Sequence, residues 1–472
     1  MSAGSRAGPR VLIIAELCNP SWSSVPLVGW NICAALRAKV QAHIVTHVRN
    51  RADLEAAGLV EGQDFTAFDT SRSERAVSSV LARLGSSAKD FKGLTTQMAA
   101  FAFTYQYFER LVWKRFRHQI ERGDFDIVHR ITPLSPTVPS PIAARCRRAG
   151  VPFVIGPLNG GLPWPREFPN LRVREREWLS YVREAYKLVP GYRATRRNAA
   201  AIIVASEATA SQLAEPYRAK SVYIPENGVD LGRFAAETRP AIALPLKVVF
   251  IGRLVPYKGA DMLIDAIAPL AKAGKATLTL YGDGFEGPAL RQRAEELGIA
   301  PYVEFAGWVS QAELSARVAQ SHVFAFPSVR EFGGAVVLEA MALGVVPIVV
   351  RYGGPGEHVV ASNGFAVPLQ QRDAIVADFR RILTQLAENP SLIGPMGRAA
   401  RARVATHFTW EAKAGQIVAV YRWVLGETPK PDFGMPFADT AADDRHDTSS
   451  AGDAGDIKDR SAKSANPVEV GE

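Results

Sequence analysis

Short apolar, β-branched runs recur along the chain, and between them lie segments whose apolar residues return every three to four positions. In the first half Val11–Ala15, His43–His47, Ile127–Arg130, Phe153–Ile155 and Ala201–Val204 read as strands, with helices such as Val28–Ala38 and Thr95–Gln119 between them. Val248–Ile251, Thr277–Tyr281, Val303–Phe305, Val323–Phe326 and Pro347–Val350 repeat the rhythm in the second half. Near-continuous apolar strands alternating with amphipathic helices predict parallel sheets covered on both faces. The expected fold class is therefore α/β, with two doubly wound, Rossmann-like domains facing across a cleft. Pro, Asn, Gly and Asp cluster at Pro225–Phe234, which puts the seam there and predicts domains over 10–225 and 226–408. Ligands of open parallel sheets collect beyond the carboxyl ends of the strands, so the chemistry is expected in the loops that follow them.

A length of 472 residues agrees with two domains. No apolar stretch approaches the roughly 18–20 residues that cross a bilayer. Met1–Arg10 lacks the apolar core of an export signal, and Cys18, Cys33 and Cys146 show no C-x-x-C spacing. These features predict a cytoplasmic protein without a disulfide framework or thiolate metal site. Charge is uneven: the 46 residues from Glu427 onward carry net −6 of a total of +9, which leaves +15 on residues 1–426. Residues 427–472 are rich in Ala, Asp, Ser and Gly, too poor in large apolar groups to offset ordering entropy, and are expected to be a disordered acidic tail.

Three strand ends carry candidate chemistry. After Val248–Ile251 comes Gly252-Arg253-Leu254-Val255-Pro256-Tyr257-Lys258-Gly259 and then a helix. Arg253 can fork two phosphate oxygens and Lys258 supplies a point charge beside a helix N-terminus, which suits a diphosphate; the alternative is a pair of solvated surface cations. After Thr277–Tyr281 comes Gly282-Asp283-Gly284-Phe285-Glu286-Gly287, which satisfies G-x-G-x-x-G. It sits on the second strand of its domain, where a dinucleotide fingerprint does not belong, so a tight turn lining the cleft is the better reading. After Val323–Phe326 comes a loop with Glu331, Phe332, Gly333 and Gly334 that opens a helix containing Glu339. The glycines allow close backbone approach, and the carboxylates can accept sugar and ribose hydroxyls. Either glutamate alone could be an ordinary helix charge. Glu339 is nevertheless embedded in an apolar run, where an unpaired charge is costly.

Together with Asn227-Gly228-Val229-Asp230, Phe234, Gly353-Gly354-Pro355-Gly356-Glu357 and Asn363-Gly364-Phe365, these segments resemble glycosyltransferase family 4 enzymes of the GT-B fold. The resemblance runs from Val11 to about Gly426. It implies transfer of a hexose-type sugar from a UDP- or GDP-sugar to a glycan or lipid-linked acceptor, with retention at the anomeric carbon and without a metal or cofactor. It assigns the diphosphate to Arg253 and Lys258, the ribose to Glu339, and the sugar hydroxyls to Glu331 and the Phe332–Gly334 backbone, with Gly282 and Gly284 on the donor side. It also implies that a last helix, 409–426, crosses back to the acceptor-side first domain. A nucleotide-sugar epimerase and a noncatalytic sugar-nucleotide binding protein share this architecture and remain alternatives.

The first half departs from the family pattern. Many relatives carry two histidines separated by one residue where this chain has His129-Arg130-Ile131. His129 is thus a candidate catalytic residue, against the alternative of a histidine that closes a strand with its own hydrogen bonds. The glycine-rich turn after the first strand is replaced by Glu16–Ser24, while Gly156–Gly161 offers glycines to the acceptor side. Seven aromatics between Phe101 and Phe116 mingle with Arg110, Lys114, Arg115 and Arg117. That segment is either a core helix with a basic end or a peripheral helix on an anionic surface at the inner membrane face. No RNA-binding signature accompanies it, and no nucleic-acid partner is expected.

Overall fold

The computed structural model describes residues 8–71, 94–169, 189–234 and 243–435. They hold two wholly parallel sheets. The first is ordered β3-β2-β1-β4-β5-β6-β7, with β1 Arg10–Ala15, β2 Gln41–His47, β3 Phe65–Phe68, β4 Ile127–Thr132, β5 Phe153–Leu158, β6 Ala201–Val204 and β7 Ser221–Tyr223. The second is ordered β10-β9-β8-β11-β12-β13, with β8 Leu246–Ile251, β9 Ala276–Tyr281, β10 Val303–Gly307, β11 Val323–Phe326, β12 Val346–Arg351 and β13 Phe365–Pro368. All ten expected strands are present. The chain order reverses between β1 and β4 in one sheet and between β8 and β11 in the other. Those reversals open crevices, because the crossover loops on either side leave in opposite directions.

Alternation along β1 explains why its whole run is apolar. Val11, Ile13 and Ala15 enter one core and Leu12 and Ile14 another, on the two faces of the sheet. The helix Leu94–Glu121 covers the Leu12 face, burying Tyr105, Phe108, Val112, Phe116 and Ile120 at helical spacing. Those aromatics are core, so they are not available for insertion into a bilayer. Arg110, Lys114 and Arg117 lie outward. Among the described residues no helix is long and apolar enough to cross a membrane.

On the other face the helix Val25–Arg37 packs beside the last helix, Trp410–Val424, which returns from the second sheet to the first and buries Ile417, Val420 and Tyr421. Thr409 caps that helix by accepting from Ala412 N at 3.0 Å. The two strands of chain that join the halves run together there, Val229 N donating to Phe408 O at 2.8 Å.

Residues 427–435 differ from the expected disorder. Phe433 packs on the first core and Lys430 Nζ donates to Ala219 O at 2.9 Å, because a single aromatic and a long cation find partners on the terminal helix and the body beside it. The remainder of the expected tail lies outside the described residues.

His129 lies fully inside the first half. Its Nε2 is 2.7 Å from Gly156 O, a pure acceptor, so Nε2 carries the proton and Nδ1 accepts from Tyr421 OH at 2.6 Å. Burial lowers its pKa to about 4, which keeps the ring neutral. Both nitrogens are committed and the ring does not reach the cleft. The candidate catalytic histidine is thus a tie between β4, β5 and the returning helix; the sequence offered this alternative, and the packing of Tyr421 decides it. Tyr421→Phe is expected to cost about 1–3 kcal/mol of stability by orphaning Nδ1, as a lower urea midpoint at unchanged slope will show.

Candidate functional site

The loops after β8, β11 and β12 converge on the β8/β11 switch point. Lys258 ends a single 3-10 turn, Pro256–Lys258, and Gly259 follows at φ 73 to open the helix Ala260–Lys272. A Cβ on Gly259 would stand 2.4 Å from Pro327 O, so only glycine lets this turn lie against the β11 loop. The closeness brings the Lys258 ammonium onto the Glu331 carboxylate in a direct ion pair, over the Phe326 ring at 5.0 Å. Arg253 is exposed on the same loop and makes no side-chain hydrogen bond or ion pair among the described residues.

Gly282 and Gly284 act on that loop through the backbone. A Cβ at either would sit 2.2 Å from a carbonyl oxygen, of Gly252 and Leu254 respectively, and Leu254 N donates to Asp283 O at 3.0 Å. The two turns pack directly together, which fixes where Arg253 leaves the chain. The G-x-G-x-x-G match is a packing device between neighbouring strand ends.

Gly334, at φ 62, caps the helix Ala335–Ala342, and Gly333 lies against the seam, where a Cβ would meet Asn227 Nδ2 at 2.0 Å and Glu226 Oε1 at 2.1 Å. The loop is held from beneath by Gly354 N, which donates to Phe332 O at 3.0 Å, and by His358 Nε2, which donates to Gly333 O at 2.8 Å. Burial keeps His358 neutral, its pKa lowered to about 3. Phe332 itself remains 37% exposed. Glu339, half-buried one to two turns along the helix, accepts from Gln311 Nε2 at 3.3 Å, and burial raises its carboxyl above the usual range. Part of its charge is thus answered by a side chain that opens the helix Gln311–Ala319.

A cavity of about 540 Å³ lies between the halves. The loops after β1 and β4 supply Leu17 and Leu134, the start of the helix Val25–Arg37 supplies Val25, the loop after β5 supplies Asn159 and Gly160, and the seam and β11 loop supply Glu226, Asn227, Glu331, Phe332 and Gly333. Both switch points therefore face one space. The halves are also clasped beside it: Arg330 stacks on Trp164 at 4.2 Å, and Tyr352 OH donates to Pro163 O at 2.5 Å. Glu357 accepts from Tyr223 OH at 2.7 Å and from Glu207 N at 3.0 Å. Sequence reasoning missed Trp164, Arg330 and Glu226. Only Glu226 left a signal, an acid placed directly before Asn227-Gly228.

Burial raises the Glu357 pKa to about 7. A carboxyl whose folded pKa lies above its unfolded value holds its proton in the native state, so its contribution favours folding at low pH and is lost as pH rises from about 4.5 to about 7. Glu357→Gln should remove that loss. Urea denaturation is expected to show the variant gaining on the native chain between pH 5 and pH 8, by up to about 3 kcal/mol.

Residues 239–395 match the family model Glycosyl transferases group 1. The chain is 30% identical over 224 residues to a glycogen synthase of Mycobacterium tuberculosis, covering 46% of this chain and 52% of that protein. It is 33% identical over 207 residues to a GDP-mannose-dependent alpha-(1-6)-phosphatidylinositol monomannoside mannosyltransferase of Mycolicibacterium smegmatis, covering 40% and 53%. The chain thus spans about half the length of these curated relatives. Among solved structures, a glycosyltransferase from Rickettsia africae superposes with a TM-score of 0.57 at 15% identity, over 89% of this chain and 100% of that one. Anabaena HepE in complex with UDP gives 0.54 at 18%, over 86% and 98%. The likeness to both is one of fold, the GT-B architecture of two parallel sheets.

Proposed function

From the match of residues 239–395 to the glycosyl transferases group 1 model and the GT-B scaffold, we propose that this protein transfers a hexose from a UDP- or GDP-sugar to a hydroxyl of a glycan or lipid-linked acceptor. The observation that carries the reading is the contact between Lys258 and Glu331. In a nucleotide sugar the diphosphate and the sugar ring are joined by one oxygen, so a site for it needs a cation and a hydroxyl-accepting carboxylate side by side. Arg253, free on the same loop, adds a second cation. Departure of the diphosphate concentrates negative charge there, and fixed cations favour that charge at the transition state.

Glu339 takes the ribose in this reading, and Glu331 with the Gly333–Gly334 backbone takes the sugar. Gly282 and Gly284 position Arg253. Retention follows from attack on the face the leaving group departs from, the departing phosphate oxygen taking the acceptor proton as the new glycosidic bond forms. Residues 10–225 with the returning helix form the acceptor side and 226–408 the donor side. An electrostatic contact with anionic lipid belongs to the reading chiefly through outward Arg110, Lys114 and Arg117, since Tyr105, Phe108 and Phe116 of that helix are core. Such a contact should weaken steeply with salt.

Incubation with a panel of UDP- and GDP-hexoses, with and without cell extract as acceptor source, tests the function. Free nucleoside diphosphate released with extract, and undiminished by excess EDTA, is the expected result. Conversion of the donor without release would mean epimerisation, and binding without either would mean a sugar-nucleotide binding protein. Loss in EDTA restored by magnesium would replace the two-cation account.

A further inference from the structure

The cavity between the halves is two-faced, apolar at Leu17, Val25 and Leu134 and polar at Asn159, Glu226 and Glu331. Its two carboxylates are not equivalent. Glu331 is held by Lys258. Glu226 is only 5% exposed, and its Oε1 accepts from Asn159 Nδ2 at 2.5 Å and Asn227 Nδ2 at 3.3 Å. Its Oε2 has no hydrogen-bond partner among the described residues. The cation that acts on it, Lys413, gives its hydrogen bond to Pro225 O at 2.6 Å. A buried carboxylate oxygen left unanswered is destabilising, and one that borders a cavity can be answered by what the cavity holds. Burial and the neighbouring Glu331 charge both raise the Glu226 carboxyl above its usual range.

We propose that Glu226 binds the acceptor: its Oε2 accepts a hydrogen bond from an acceptor hydroxyl while an apolar substituent of the same molecule lies against Leu17 and Val25. The substrate class is then a hydroxylated ring carrying an apolar group, an alkyl- or lipid-linked sugar in preference to a free polar one. This deepens the glycosyl-transfer reading and rests on it. The packing of Gly333 against Glu226 Oε1, too close for any Cβ, makes the donor loop and this carboxylate one wall. A hydroxyl held by Glu226 is thereby kept beside the loop assigned to the transferred sugar.

The test uses the full chain, octyl β-D-glucopyranoside below its micelle concentration and free glucose, titrated calorimetrically with and without saturating UDP or GDP. The native chain is expected to bind the octyl glycoside at least tenfold more tightly than glucose. Glu226→Gln keeps the volume and the bond from Asn159 but presents an amide N–H where Oε2 accepted. It should weaken octyl glycoside binding about tenfold and leave nucleotide affinity within about twofold. Equal octyl glycoside binding by both proteins, no preference over glucose, or a parallel fall in nucleotide affinity would overturn the proposal, the last by making Glu226 a structural tie. Octyl glycoside binding that needs Glu226 in a protein that binds neither nucleotide would keep the site and sink the transfer reading instead.

Discussion

Lys258→Ala is expected to lower turnover at least about 100-fold while the protein stays folded, the range seen when one preorganised charge-stabilising group is removed. The variant loses the proposed phosphate cation. It also leaves Glu331 without its ion-pair partner beside Glu226, whose carboxyl the Glu331 charge already disfavours. Two unbalanced carboxylates would then repel an incoming diphosphate. Arg253→Ala removes a cation that has no other partner among the described residues, so its effect should be simpler, a loss of about tenfold in nucleoside-diphosphate affinity. Adding Glu331→Gln to Lys258→Ala should recover nucleotide affinity but not turnover. Isothermal titration with UDP and GDP and initial rates decide these points. Lys258→Ala turning over within about threefold of the native chain would reject the diphosphate assignment.

The two glutamates of the β11 loop and its helix should part company. Glu339→Gln removes a charge-assisted acceptor from the proposed ribose subsite, and its neighbour Gln311 cannot replace it because an amide already donates there. Nucleotide affinity should fall at least about tenfold. Glu331→Gln should act in the opposite sense on binding. It frees Lys258 from its ion pair, so nucleoside-diphosphate affinity holds or rises, while turnover falls at least about tenfold because the carboxylate no longer faces the oxocarbenium-like sugar. Equal loss of nucleotide affinity in both variants, or normal turnover in Glu331→Gln, would make the pair structural.

What could be read from residues alone follows the physics of each element. Nine of the ten legible strands lie inside a sheet, where most positions are buried and the apolar run is near-continuous; the tenth, β10, is an edge strand that keeps Val303 and Phe305 on either side of an exposed Glu304. The three that were missed, β3, β7 and β13, are all edge strands, short and only partly buried, where one side of the ladder is open and the apolar signal is thin. The loops after β8 and β11 are legible for a different reason. Arg253, Lys258, Glu331 and the glycines between them lie within a few residues of a strand end or helix start, and local backbone geometry restricts which residue types can stand there.

The sequence by itself determined the doubly wound class and the cation and carboxylate loops, which depend on local pattern or on contacts between neighbouring strand ends. Tertiary structure alone decided which polar groups are used up inside the protein. The Nδ1 of His129 is taken up by Tyr421, 292 residues away, and Tyr105, Phe108 and Phe116 of the helix Leu94–Glu121 enter the core against β1. Glu226 becomes a buried acid only because Asn159 and Gly333 close over it from two different sheets' loops. Burial and pairing are properties of what folds against a residue, and partners brought together across hundreds of positions leave no period or spacing in the chain to read.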